Sequence, residues 1–108
     1  MRANVAHDLV AFTLLEIRPI LGAVRCSPFP LESNRFFLKS VRDKLHDTCK
    51  RFEDGTDAED YGMFYIPLFD ALSFLTDALH RTPICAVNFR RCLETVEALH
   101  DHTIAAPA

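Results

Sequence analysis

The chain has 108 residues and a mass of 12.3 kDa, with 49% hydrophobic residues, 25% charged residues and a formal net charge of −3. This length fits a single domain, 1–108, and this balance of apolar and charged residues excludes an intrinsically disordered chain. Only three glycines argue against an all-β fold. Nothing in the sequence resembles a secretory signal, so we expect a cytoplasmic protein whose four cysteines are reduced.

Apolar residues recur with a helical period in four segments of the chain. Neighbouring members of each set are three or four residues apart, which places each set on one face of an α-helix. The four sets are Val10, Leu14, Ile17, Leu21 and Val24; Leu38, Val41, Leu45, Cys49 and Phe52; Phe64, Leu68, Leu72, Leu75 and Leu79; and Cys85, Phe89, Cys92, Val96 and Leu99. The sequence therefore predicts an all-α fold, an antiparallel up-down four-helix bundle.

Prolines indicate the boundaries of the first two helices. Pro19 lies within the first apolar pattern, and because the pattern continues beyond it we expect a kink rather than an end. Two prolines keep the segment 26–30 extended, so it serves as a linker. Helix 2 is expected to begin between Leu31 and Asn34 and to end before Gly55.

The boundaries of the last two helices follow from capping patterns. Residues 56–59, Thr-Asp-Ala-Glu, have the pattern of a capping box that opens helix 3, and a start near Met63 fits equally well. Pro67 predicts a second kink inside helix 3. The pair Thr82-Pro83 is typical of an N-cap followed by the first helical residue, which predicts the start of helix 4. Residues 102–108 are expected to form a frayed tail.

Helices 1 and 3 carry more apolar side chains than one buried stripe requires. A surface helix of a monomer usually has an apolar stripe about 100° wide, and large exposed apolar patches are uncommon on monomers. We therefore expect a protein partner to cover part of the surplus, and a twofold homodimer is the commonest such arrangement. Phe12, Phe69 and Phe74 are the predicted partner-binding residues. The alternative is that packing around the two prolines buries them inside one subunit.

A histidine follows an acidic residue by three positions at three places, within residues 43–46, 77–80 and 97–100. The spacing resembles the Glu-x-x-His pairs of di-iron carboxylate bundles. In each case, however, the intervening leucine takes the inward position and leaves the histidine on the flank. Helix dipoles and the nearby acids favour charged imidazoles at His80 and His100. A metal-binding alternative joins His46, Cys49 and His100 at one end of the bundle.

Other function classes find less support in the sequence. It contains no nucleophile elbow, glycine-rich phosphate loop or dinucleotide motif. Helix 2 is basic, but the chain is acidic overall, which disfavours nucleic acid as a partner. Its uncharged stretches are shorter than the ~20 residues of a membrane span. The sequence thus predicts a non-catalytic homodimeric interaction module, an adaptor, chaperone-like protein or regulatory subunit, without a cofactor or a membrane partner.

Overall fold

The computed structural model describes residues 3–55 and 61–105. Four α-helices make up most of this part: α1 (Ala3–Arg25), α2 (Arg35–Gly55), α3 (Ile66–Leu79) and α4 (Ala86–Ala105), with a 3₁₀ turn (Leu31–Asn34) before α2 and a π-helical turn (Tyr61–Tyr65) before α3. Consecutive helices pack side by side and α4 returns against α1, so α1 and α3 occupy opposite corners. The predicted antiparallel four-helix bundle is confirmed, and the described residues contain no strand.

The core is built from one apolar stripe on each helix. Of the twenty residues that the helical period selected, eighteen are buried, and Leu72 and Cys85 pack against the core from a half-buried position. Burying a leucine or phenylalanine side chain contributes about 1.5–3 kcal/mol, so these stripes supply most of the stability of the bundle. The periodicity of the sequence therefore fixes which face of each helix points inward.

A buried pair of hydroxyl groups sets the register between α1 and α2. Thr13 Oγ1 lies 2.7 Å from Thr48 Oγ1, and each hydroxyl also lies within 3.0 Å of the carbonyl oxygen four residues earlier, that of Leu9 or Lys44. A hydroxyl has one proton, so one threonine donates to its own helix while it accepts from the other. On the solvent side of the same interface, Lys44 Nζ lies 3.0 Å from Glu16 Oε2.

A charged clamp closes the end of α3. The Arg35 guanidinium donates to the carbonyl oxygens of Leu79 and Arg81 at 2.6 and 2.7 Å. The last carbonyls of a helix have no acceptor role within the helix, so Arg35 satisfies the carbonyl of Leu79, the last residue of α3. Glu32 accepts from Arg35 at 2.7 Å and from the Ile84 amide at 3.2 Å. Glu32 lies in the 3₁₀ turn before α2 and Arg35 is the first residue of α2. The clamp therefore ties the segment between α1 and α2 to the α3–α4 linker.

The α3–α4 linker corrects the predicted start of helix 4. Thr82-Pro83 was expected to begin it, but the peptide bond between these residues is cis and α4 begins only at Ala86. The linker thus covers residues 80–85. At its other end α4 continues to Ala105 with Thr103 buried, past residue 102, where we expected fraying to begin.

The two prolines have different positions in their helices. Pro19 lies inside α1, which runs from Ala3 to Arg25 without interruption. Pro67 lies in the first turn of α3, directly after the π-helical turn, whose last residue Tyr65 already has helical backbone angles. The kinks expected at the two prolines stay predictions. The capping box predicted at 56–59 falls outside the described residues.

One stretch of the described chain, Gly62–Leu79, is long and apolar enough to cross a membrane by length and composition, with a mean hydropathy of 1.2. This differs from the expectation that no stretch of the chain is long and apolar enough to span a membrane. Of this stretch, 39% is buried inside the bundle, and its inward face packs against α2 and α4. Packing in the core therefore accounts for the apolar residues of its inward side only.

Candidate functional site

A groove with a volume of about 770 Å³ lies between α1 and α4. Leu14, Leu21 and Leu93 contribute apolar walls, while Leu15 and Ile104 form exposed apolar edges on either side. The groove exists because α1 and α4 are packed less closely than α3 and α4.

A network of three polar side chains bridges the middle of the groove. Arg18 of α1 donates from Nε and Nη2 to the two carboxylate oxygens of Glu97, both at 3.1 Å, and from Nη1 to His100 Nε2 at 2.9 Å. The hydrogen bonds from Arg18 lower the pKa of the Glu97 carboxyl below its ordinary value, with the positive charge of the guanidinium adding to the effect. The paired carboxylate and guanidinium hold α1 against α4 and neutralise each other.

The contacts of His100 differ from those expected. The acid three residues earlier, Glu97, bonds to Arg18 rather than to the imidazole, and Arg18 also donates to His100 Nε2. His100 Nδ1 is buried, makes no hydrogen bond within the described residues and lies 3.6 Å from Asp101 Oδ1.

The N-terminal end of the groove is closed by a second histidine. His7 Nε2 lies 2.9 Å from the carbonyl oxygen of Thr103 and donates to it. The His7 ring also packs edge-on against Phe64, with centroids 6.4 Å apart, and the other side of Phe64 meets His102 at 6.2 Å. His7 thus connects the start of α1 to both α4 and the π-helical turn, which makes it a packing residue at this end of the bundle.

An exposed apolar face extends from the outer side of α1 to the edges of this groove. Phe12 is 67% exposed and Leu15 71% exposed, and Val5 and Ile104 are also largely open to solvent. Val5, Phe12 and Leu15 lie on the outer side of α1 at a spacing of seven and then three residues, which is a second helical stripe opposite the buried one. We refer to these four residues as the α1–α4 face.

The three phenylalanines predicted to bind a partner do not form one surface. Phe12 belongs to the α1–α4 face, whereas Phe69 is on α3, at the opposite corner, where it stacks on Tyr65 with centroids 5.9 Å apart. Phe74 is half-buried against the core, with the Arg91 guanidinium 6.0 Å above its ring. None of the three lines the groove, and only Phe12 shares the outer side of α1 with the groove residue Leu15.

The three residues of the metal-binding alternative are not brought together. His46 is exposed on α2 with Nδ1 3.9 Å from Asp47, Cys49 is buried in the core, and His100 is held by Arg18 on the far side of the bundle. Over the described residues, no three histidine, cysteine or carboxylate side chains converge on a point that could hold a metal ion. The four cysteines are free.

The basic side chains of helix 2 are partly neutralised. Lys44 pairs with Glu16, Arg42 lies 3.3 Å from Asp43, and Arg35 is committed to the clamp at the end of α3. Paired cations release fewer counterions on binding a polyanion, which weakens the case for nucleic acid.

A second exposed aromatic group was not recognised as a site from the sequence. Phe29 in the α1–α2 linker and Phe37 on α2 line one surface cavity of about 560 Å³, and the rings of Phe36 and Phe37 are in edge contact at 5.8 Å. All three side chains are more than half exposed. We call these three residues the phenyl patch. The sequence signal was present, since Phe36 and Phe37 fall outside the buried stripe of helix 2.

Comparison of the chain with protein-family models, with curated proteins and with solved structures gives no match.

Proposed function

We propose that this protein is a homodimeric interaction module that acts through contact rather than catalysis, and that the α1–α4 face forms its dimer interface. The observation that carries the proposal is that exposed Leu15 and Ile104 edge an open groove between α1 and α4. Val5 and Phe12 extend the exposed apolar surface along the outer side of α1. Exposed apolar side chains scattered singly are ordinary, but a cluster next to a concave apolar surface is typical of a protein interface.

The size of the face supports a second copy as the partner. α1 has 23 residues, so it is about 34 Å long, and two adjacent helices about 10 Å wide give a face of roughly 700 Å². A stable interface buries about 600–1,000 Å² on each partner, so a face of this size lies within the range of a dimer contact.

Sedimentation equilibrium at micromolar concentration tests the proposal. We expect a dimer for the unchanged protein and a monomer for the double variant Phe12→Ser, Leu15→Ser, because two apolar groups central to the face are lost. Phe69→Ser is the matched control: Phe69 is 49% exposed on the opposite corner, so this variant should remain dimeric. A monomeric unchanged protein contradicts the proposal, and dissociation by Phe69→Ser alone moves the interface to α3.

A further inference from the structure

The phenyl patch lies at the end of the bundle where the α1–α2 and α3–α4 linkers meet, away from the centre of the α1–α4 face. Phe36 is 79% exposed, the highest value among the large apolar side chains of the described chain. Phe29 stands between Pro28 and Pro30, so its backbone is held by fixed dihedral angles on both sides. Three rings thus project from a rigid loop and the first turn of a helix.

Cationic side chains surround this patch. Arg25 and Arg90 line the same surface pocket as Phe29, and Lys39 follows Phe36 by three residues on α2, one helical turn away. Glu32, the nearest carboxylate in the linker, is occupied by Arg35 and the Ile84 amide. The carboxylates Glu94 and Glu97 also line the pocket, and Glu97 is bonded to Arg18.

The two ends of the bundle differ in charge. The end with the phenyl patch, residues 25–39 and 77–90, carries the basic residues Arg25, Arg35, Lys39, Arg81 and Arg90 against the acidic residues Glu32 and Asp77. The described residues of the opposite end, 3–8, 47–55, 61–70 and 98–105, carry the acidic residues Asp8, Asp47, Glu53, Asp54, Asp70 and Asp101 against the basic residues Lys50 and Arg51. An anionic surface therefore attracts the phenyl end and repels the other.

The area of the patch favours a bilayer over a folded protein partner. From the exposed fractions of the three rings, the patch offers roughly 400 Å² of apolar surface, about half of the ~800 Å² that a stable protein interface takes from each partner. A membrane interface needs no such area, because a few apolar side chains can insert between headgroups while nearby cations remain at the level of the phosphates.

We propose that the phenyl patch docks the protein peripherally on an anionic lipid surface, with Phe29, Phe36 and Phe37 inserted among the headgroups and Arg25, Lys39 and Arg90 contacting the phosphates. This contact is separate from the dimer interface, and it revises the expectation that the protein has no membrane partner. The bundle stays folded and lies on the surface, so no helix crosses the bilayer.

Co-sedimentation of the full chain with vesicles tests this proposal. We expect partitioning onto vesicles of equal parts phosphatidylserine and phosphatidylcholine that exceeds partitioning onto phosphatidylcholine alone and weakens as salt is added. Phe36→Ser should lower the partition coefficient about tenfold, because one exposed ring no longer inserts. Lys39→Gln should lower it about fivefold through the loss of one cation near the surface.

The matched controls are Phe69→Ser and Lys50→Gln, which make the same chemical changes at the acidic end and should leave partitioning unchanged. Equal binding to the two kinds of vesicle overturns the proposal, as does a loss of binding in the controls as large as in the patch variants. Loss of self-association in Phe36→Ser, measured without lipid, assigns the patch to a protein contact and overturns it too. Every substituted residue here is exposed, so circular dichroism should show the fold intact.

Discussion

Arg18 of α1 and His100 of α4 face each other across the groove, with the guanidinium Nη1 2.9 Å from the imidazole Nε2. The guanidinium can only donate, so the imidazole nitrogen is the acceptor of this bond. Glu97 binds the rest of the guanidinium with both oxygens and balances its charge. The polar centre of the groove is therefore satisfied internally, and the rim that remains available is apolar. This favours a protein surface over an anionic ligand as its occupant.

The pairing of Glu97 with Arg18 predicts a pH dependence of stability. The folded-state pKa of Glu97 lies below the ordinary value, so the pair stabilises the fold above the unfolded-state pKa and loses its effect as the pH falls through the folded-state pKa. We expect Glu97→Gln to lower the urea midpoint at pH 7, and the difference from the unchanged protein to shrink as the pH falls below about 4.5.

Glu94→Gln is the control for this experiment, since Glu94 lies nearly one turn earlier on α4, is exposed, and forms no ion pair within the described chain. Its midpoint should follow that of the unchanged protein at every pH. A Glu97→Gln difference that is the same at pH 7 and pH 3 would show that the carboxylate charge contributes nothing to the contact between α1 and α4.

The hydroxyl pair between α1 and α2 predicts non-additive substitutions. Thr48→Val keeps the shape of the side chain but removes one partner from the buried Thr13 hydroxyl, which should cost about 1 kcal/mol of unfolding free energy. The double variant Thr13→Val, Thr48→Val should cost less than the sum of the single changes, because no hydroxyl is then left in the interface.

Thr95→Val is the control for the hydroxyl pair. Thr95 donates only to the Arg91 carbonyl on its own helix, near solvent, so the effect should be within about 0.5 kcal/mol. Strict additivity of the two core changes, measured by chemical denaturation, would mean that the hydroxyls are bonded only to their own helices.

The buried face of every helix could be predicted from sequence because the period of 3.6 residues depends only on local geometry. The predicted sets that include Ile17 and Leu45 are almost fully buried for this reason. The start of α4 could not be predicted, because Thr82-Pro83 has the local signal of a helix N-terminus. The Arg35 clamp on the carbonyls of α3 and the bond from the Ile84 amide to Glu32 hold those residues in a linker instead. These contacts join residues about fifty positions apart.

The candidate site was predictable only in part, because it too depends on contacts between residues that are far apart in the sequence. The surplus of apolar residues on helix 1 is visible in the sequence, and Phe12 is indeed exposed. Which other residues share its surface depends on the order of the helices around the bundle, and this order separates Phe69 from Phe12 while it brings Ile104 to the groove. Ile104 was not predicted to belong to the site, because residues 102–108 were expected to form a frayed tail.

Burial predicts a ranking of cysteine reactivity. Burial raises the pKa of the Cys92 thiol to about 12, and burial together with the charge of Glu53 raises that of Cys49 to about 11. The thiolate is the reactive form, so at pH 8 both should resist maleimide in the folded protein, while the exposed Cys26 should react first. Mass mapping of the labelled peptides measures the order. Cys26→Ser should abolish the fastest phase, and labelling of Cys92 as fast as Cys26 would contradict the burial of α4.

Two phenylalanines of α2 should differ widely in their contribution to the free energy of unfolding. Phe52 is fully buried and touches Phe64 and Tyr65, with ring centroids 6.5 Å away in both cases, so Phe52→Ala should leave a cavity and cost about 3–5 kcal/mol. Phe36→Ala removes a ring that is already in water and should change the unfolding free energy by less than about 0.5 kcal/mol.

Urea denaturation of the two variants measures this difference, and Phe52→Leu, expected to cost about 1 kcal/mol, provides a milder change at the same site if the alanine variant does not fold. A Phe36→Ala variant as unstable as Phe52→Ala would require α2 to be rotated by half a turn from the position described here. That rotation would bury the phenyl patch and expose the core stripe, so this pair of substitutions also tests whether the patch is free to meet a membrane surface.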